Sequence, residues 1–336
     1  MGHTPARSGD ADWSAAEVLG RRIEPGTAAK FAFVPDTSFQ ASYLNMPVFV
    51  ARGANSGPTL CLSAGIHGDE LNGVEVARRA FAKVDPEELR GTLIAWPIVN
   101  AHGVRSGNRY LSDRRDLNRF FPGKSGGNVA SLIANAVFSE VQRHCDALLD
   151  LHTASDRRTN LPQVRADLSA PGVRELAIQF GVGIVVAGAG PDGSLRKAAI
   201  AAGIPAIIYE AGEPDRFQES EIDRGVEGVR NVMEFMKMIP GSPADRPQPR
   251  IYEHSRWVRA QEGTAGFFFP SATLGDDVKT GDVLGSVVDP FTDGSARVVS
   301  PVSGEIIGMA LPQPVLPGYA LFHVAWQGDD VAESSP

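Results

Sequence analysis

The sequence predicts an α/β protein with a mixed, largely parallel sheet flanked by helices and a small C-terminal all-β domain. Three observations lead there. From about residue 26 to 240, short apolar runs alternate with stretches of helical periodicity, the pattern of a sheet covered by helices. Several of those runs end on a histidine, a carboxylate or a polar turn, where open α/β sheets bind ligands. After the Pro- and Gly-rich stretch 240–249 the helical periodicity stops, and short strands and turns follow.

Taken in order, residues 1–25 are polar and rich in Gly, Pro and charge, and are expected to be poorly ordered. The catalytic-type domain is placed at 26–240. It opens with strands around 31–34 and 46–51. The run Thr59-Leu60-Cys61-Leu62-Ser63-Ala64 reads as a buried strand. Next comes the turn Gly65-Ile66-His67-Gly68-Asp69-Glu70, then a helix with Leu71, Val74, Ala77, Phe81 and Val84 at spacings of three or four. A second buried strand, 93–100, leads into a long polar loop to about Gly127 that carries Arg105, Arg109, Arg114, Arg115 and Arg119. A loop this long inside an ordered domain is usually functional, and Phe120-Phe121-Pro122 argues that it is ordered. A helix over 129–145 precedes the strand that ends at His152. Further strands are expected at 182–187 and 206–210, with a helix N-capped by Ser194 between them and an amphipathic helix over 219–238. Residues 241–250 read as a linker and 251–330 as the β domain.

The 336 residues allow a large core, and a net charge of −8 argues against a general nucleic-acid or anionic-membrane binder. No apolar run reaches the roughly 18 to 20 residues that span a bilayer, and the N-terminus lacks the apolar core of a signal peptide. The two cysteines, Cys61 and Cys145, sit in or beside apolar segments and read as reduced, packed thiols, which points to a cytoplasmic protein. Whether it forms a homo-oligomer is left open.

The chemistry lies at the strand ends. An imidazole and a carboxylate three residues apart on a Gly-flanked turn, His67 and Glu70, can converge on one cation, and His152 completes a His2Glu zinc set with an open fourth position. Glu210 ends another buried run and is then free to act as general base, moving a proton from water to a leaving amine. The arginine-rich loop supplies a donor for an oxyanion. Asn118 and Arg119 suit a substrate carboxylate, while Asp116 is placed to orient a metal-binding imidazole.

His67-x-x-Glu70, Asp116-Leu117-Asn118-Arg119, Asp150-Leu151-His152 and Tyr209-Glu210 resemble, in this order, the succinylglutamate desuccinylase/aspartoacylase family, a branch of the zinc carboxypeptidase fold. The motifs span about residues 58–212. The resemblance implies one Zn2+ per chain on His67, Glu70 and His152, and Glu210 as base and acid. It further implies Arg109 polarising the scissile carbonyl, Asn118 and Arg119 holding the substrate carboxylate, and Asp116 supporting His67. Arg105 and Arg114 lie close enough in sequence to compete for the role of Arg109, and Arg105 joins the substrate-binding candidates. In some members a tyrosine of the β domain helps close the pocket mouth, and Tyr319 is the candidate for it here. The C-terminal region also looks like a biotinyl/lipoyl-type hairpin fold, but its single lysine, Lys279, is not at a carrier position, so no carrier function is expected. The expected activity is zinc-dependent hydrolysis of the amide bond in a small N-acyl amino acid or related carboxylate. A carboxypeptidase acting on short peptides and a non-catalytic carboxylate-binding protein on the same fold are the alternatives.

Overall fold

A computed structural model describes residues 17–34, 45–241 and 248–328. Strands β1 (Glu17–Val18) and β2 (Arg21–Arg22) form a hairpin whose Val18, Leu19 and Ile23 are buried. The poor order expected for 1–25 therefore fails from residue 17 on, because apolar side chains anchor the hairpin; residues 1–16 lie outside the described residues, as does most of the expected linker.

The chain continues through β3 (Thr27–Phe33), β4 (Met46–Arg52), β5 (Asn55–Ala64), α1 (Leu71–Ala82), β6 (Arg90–Trp96), α2 (Ala101–Ser106), α3 (Val129–His144) and β7 (Ala147–His152). Then follow β8 (Arg158–Ala166), α4 (Val173–Phe180), β9 (Ile184–Ala187), α5 (Leu195–Ala201), β10 (Ala206–Gly212) and α6 (Glu219–Phe235). The C-terminal part is β11 (Arg250–Tyr252), β12 (His254–Arg259), β13 (Gly266–Pro270), β14 (Asp277–Val278), β15 (Val283–Val288), β16 (Ser295–Val299), β17 (Gly304–Ala310), β18 (Gln313–Val315) and β19 (Ala320–Trp326).

The centre of the main sheet is parallel, in the order β10-β7-β5-β6, with antiparallel strands on both flanks. Strand β7 is buried along its whole length between two parallel neighbours, which is why Ala147-Leu148-Leu149 reads as an unbroken apolar run. Helices α1, α4 and α6 cover one face over Val76, Phe81, Leu176, Phe180, Ile222 and Val229. Helices α3 and α5 cover the other over Ile133, Val137, Val141 and Leu195. As expected, Ser194 caps α5, accepting from Lys197 N. Strand β8 and helices α2 and α4 stand where sequence periodicity was silent.

The C-terminal strands do not stand apart from this sheet. Strand β17 pairs with β8, and β19 and β12 continue outward from it, so the main sheet runs from β3 to β12. A four-stranded sheet, β16-β15-β13-β18, packs over this end around Phe268, Leu284, Ile306 and Phe322. Among the described residues no helix is long and apolar enough to cross a membrane.

Cys61 on β5 and Cys145 after α3 are joined in a disulfide across a sequence separation of 84, with Cα atoms 5.7 Å apart. This overturns the reading of two reduced thiols, and the step from free thiols to a cytoplasmic location loses its support. Two cysteines distant in sequence give no sign of meeting until α3 is packed on β5. The bridge ties α3 to the strand that leads into His67. The denatured protein is expected to show no free thiol by thiol titration before reduction and two after it. Reduction is expected to lower the unfolding free energy by about 2–4 kcal/mol. Two free thiols in unreduced, denatured protein would remove the bridge.

Candidate metal centre

The site forms where β5, β7 and β10 end side by side. Glu210 on β10 lies in register with His152 on β7, and Ala64 on β5 with Leu151. The chain leaves β5 through Gly65 and turns at His67. A Cβ on Gly68 would fall 2.0 Å from the Gly103 carbonyl carbon, so only glycine lets the turn pack on α2. Glu70 then occupies the N-cap of α1 but makes no capping hydrogen bond. Its carboxylate is committed elsewhere.

Glu70 is the hub. Oε1 lies 2.8 Å from His67 Nδ1 and accepts from Arg109 Nη1 at 2.9 Å. Oε2 lies 2.7 Å from His152 Nδ1 and accepts from Thr153 N at 3.2 Å. The far nitrogen of each imidazole faces another carboxylate: His67 Nε2 lies 3.2 Å from Asp116 Oδ1, and His152 Nε2 3.0 Å from Asp150 Oδ2. Ser63 Oγ donates to Asp150 Oδ1 at 3.0 Å. All three members of the His67–Glu70–His152 set are buried, and their ligand atoms lie within 4.8 Å of one another.

The charges around these imidazoles are arranged for a cation. Burial alone would lower the pKa of His67 and His152, but Glu70 with Asp116 raises the first, and Asp150 with Glu70 raises the second well above the usual range. Burial would raise Glu70, yet the two imidazoles hold it well below the carboxylate range. His67 Nδ1 is buried and, although 2.8 Å from Glu70 Oε1, makes no aligned hydrogen bond, so a metal between the two would satisfy it. Two imidazole nitrogens facing one carboxylate, each oriented by an outer carboxylate, fit a divalent cation such as zinc.

The remaining sequence candidates fall into two groups. Arg109 bridges Glu70 and Asp116, with Nη2 3.3 Å from Asp116 Oδ2. Asp116 also caps the turn Leu117–Arg119, accepting from Asn118 N at 2.9 Å. Asn118 is buried; its Oδ1 accepts from Leu195 N at 2.9 Å, so half of its amide secures the start of α5. Arg119 lies 3.8 Å from Asp116 with its side chain 46% exposed. Arg105 is placed elsewhere, and Tyr319 meets the loop that follows His152. Arg105 sits on α2, donates to Ala101 O, and lines a separate cavity with Pro47 and Ile98. The Tyr319 hydroxyl donates to Asp156 O in the loop after His152, with the Arg158 guanidinium 4.4 Å over its ring.

Four residues beside this site went unassigned in the sequence. Asp150 was read only as part of a motif. Asn160 and Arg165, on β8, both reach Glu210 Oε2, at 2.7 and 3.0 Å. Arg196 on α5 is 3% exposed, and its Nε and Nη1 have no hydrogen-bond partner. Burial, then repulsion from Arg165, lowers its pKa to about 10, with Glu210 and Asp150 acting in the opposite sense. Asp150 left a sequence signal, its place two residues before His152; Asn160 and Arg165 lie on a strand that periodicity did not single out, and Arg196 lies on the expected helix α5 with nothing local to mark it.

The profile of the succinylglutamate desuccinylase/aspartoacylase catalytic domain matches residues 56–236. The chain is similar to N-alpha-acetyl-L-2,4-diaminobutyric acid deacetylase of Halomonas elongata, 25% identical over 75% of this chain and 77% of that protein. It is also similar to succinylglutamate desuccinylase of Pseudomonas aeruginosa, 34% identical over 30% of this chain and 32% of that one. Among solved structures, a succinylglutamatedesuccinylase/aspartoacylase from Rhodobacter sphaeroides superimposes with a TM-score of 0.81 at 24% identity, covering 96% of this chain and 99% of the other.

Because the two imidazoles have raised pKa values in the metal-free protein, the stability they contribute is fully present below the ordinary value of 6.5 and is lost as pH rises through their folded values. A cation bound by this set would take over from those protons. The melting-temperature gap between zinc-loaded and chelator-treated protein is therefore expected to widen from pH 6 to pH 9, as read by scanning calorimetry. A gap that stays constant over this range would contradict the arrangement.

Proposed function

The chain belongs to the succinylglutamate desuccinylase/aspartoacylase family, and we propose that it is a zinc-dependent amidohydrolase releasing the acyl group of a small N-acyl amino acid. The observation that carries this reading is the buried His67–Glu70–His152 set with Glu210 in register beside it on the next strand. His67, Glu70 and His152 would hold the zinc ion, which would supply Lewis acidity to the substrate carbonyl and acidify the attacking water.

The chain's own groups do the rest. Glu210 takes the proton from the water as its oxygen attacks the acyl carbon. Arg109, beside the set, stabilises the developing oxyanion. As the C–N bond breaks, Glu210 returns the proton to the amine nitrogen, and the products are a carboxylate and a free amine. Asn118 Nδ2 and Arg119 anchor the substrate carboxylate, and the buried, unpartnered donors of Arg196 offer a second anion contact. Asp116 and Asp150 hold the two imidazoles in orientation.

The test is amine release from a panel including N-α-acetyl-L-2,4-diaminobutyrate, N-succinyl-L-glutamate and N-formyl amino acids, with zinc counted by elemental analysis. About one zinc per chain and release from one acyl class are expected. Absence of bound metal would sink the reading. Glu210→Gln is expected to keep its zinc and lose activity by roughly 10²- to 10⁴-fold. In Arg119→Ala, KM is expected to rise by at least tenfold, the scale of one lost charge-assisted contact of about 1.5–3 kcal/mol, and an unchanged KM would remove its role.

A further inference from the structure

Glu210 is gripped from one side only. Strand β8 runs antiparallel to β10 with Gln163 opposite Glu210 and Arg165 opposite Ile208, so Arg165 shares a sheet face with Glu210. Beyond Glu210 the register shifts and brings Asn160 opposite Gly212. The two side chains close on the carboxylate from either end. Asn160 Nδ2 donates to Oε2 at 2.7 Å, and Arg165 Nη2 lies 3.0 Å from the same oxygen. The described residues give Oε1 no hydrogen bond.

We propose that Asn160 and Arg165 are positioning residues that reserve Oε2 of Glu210 as a fixed acceptor and leave Oε1 as the oxygen that carries the proton. This rests on the reading of Glu210 as the base. The argument is one of donors and acceptors. A guanidinium has only N–H donors, and the amide nitrogen of Asn160 has only donors as well. A proton on Oε2 would face the Asn160 donor and the Arg165 cation 3.0 Å away, so Oε2 is the disfavoured oxygen for it. The proton taken from water therefore goes to Oε1, and the same oxygen gives it to the amine nitrogen as the C–N bond breaks. Oε2 keeps both contacts through the cycle, so the carboxylate need not rotate between the two transfers.

Asn160 is itself held in this orientation. It is 4% exposed, and its Oδ1 is buried without a hydrogen-bond partner, lying against Gly308 of β17. A Cβ at Gly308 would fall 2.5 Å from Oδ1. Turning the amide over would set Oδ1 against the Glu210 carboxylate, two acceptors facing each other. The C-terminal strand β17 thus supports the proposed base through Asn160.

The test uses the full-length, zinc-loaded protein and the fastest substrate of the panel above. Asn160→Leu and Arg165→Met are expected to lower kcat by about 10- to 100-fold, with KM within about twofold and zinc retained, the cost of a misplaced catalytic group. Arg165→Lys is expected to regain most of the lost kcat. In a Glu210→Gln background neither variant should cost anything further. A normal kcat in both single variants would reduce the contacts to a structural ion pair and overturn the proposal, while leaving Glu210 as base if Glu210→Gln is inactive. A raised KM at unchanged kcat would make Arg165 a substrate contact instead. Should Glu210→Gln itself stay active, the base reading fails first. Crystal structures of the parent and Asn160→Leu proteins give a readout independent of turnover: the Glu210 side chain is expected to turn, and an unmoved side chain would overturn the proposal.

Discussion

The buried carboxylate of Glu70 is the constraint around which the catalytic end is arranged. It is 2% exposed. An ionised group at such a depth costs several kcal/mol unless it is closely paired. Here the pairing comes from His67 in its own turn, His152 and Thr153 at the end of β7, and Arg109 beyond α2. None of these contacts is local except the first. Each requires that β5 and β7 end at the same level and that the loop after β6 fold back over them. Glu70 also sits at the N-cap of α1 without capping it, so a position that normally secures a helix serves the cluster instead. The positive end of the helix still faces its carboxylate.

The loop from Asn100 to Gly127 is held by ordinary means. Asn100 caps α2 by accepting from Gly103 N, while Leu111, Leu117 and Phe121 are buried in the core under α3. That anchoring keeps Asp116 and Arg109 beside the imidazoles. The C-terminal strands act on the same end from the opposite side. Strand β17 pairs with β8, Tyr319 and Gln313 bond the backbone of Asp156 and Arg157, and the Arg158 guanidinium lies over Tyr319. Asp156 and Arg157 both have positive φ, at 58° and 56°, a conformation that non-glycine residues hold only under tertiary constraint. The β region is therefore built into the sheet that carries His152 and Glu210.

Much of this was legible in the sequence. The parallel strands at the centre show as unbroken apolar runs because both their faces are covered. His67, Glu70, His152 and Glu210 stand out because each closes or follows such a run, and an α/β sheet brings those ends together. Strand β8 was not legible. Its residues Asn160, Gln163 and Arg165 are polar, and nothing in periodicity marks a strand whose polar face is turned toward the half-buried carboxylate of Glu210. Arg105 and Arg109 look equivalent as arginines of one polar loop. Only the fold separates them, by placing Arg105 on the exposed side of α2 and Arg109 against Glu70.

The sequence by itself determined the α/β order, the all-β character of the C-terminal part and the residues of the His67–Glu70–His152 set, because these follow from local periodicity and from residue types at the ends of strands. Tertiary structure alone decided that Cys61 meets Cys145, that β17 extends the main sheet through β8, and that Asn160 and Arg165 share one oxygen of Glu210. Those are contacts between residues 45 (Arg165 and Glu210) to 152 (Arg158 and Ala310) apart in the sequence. Their energies depend on geometry that no local pattern encodes.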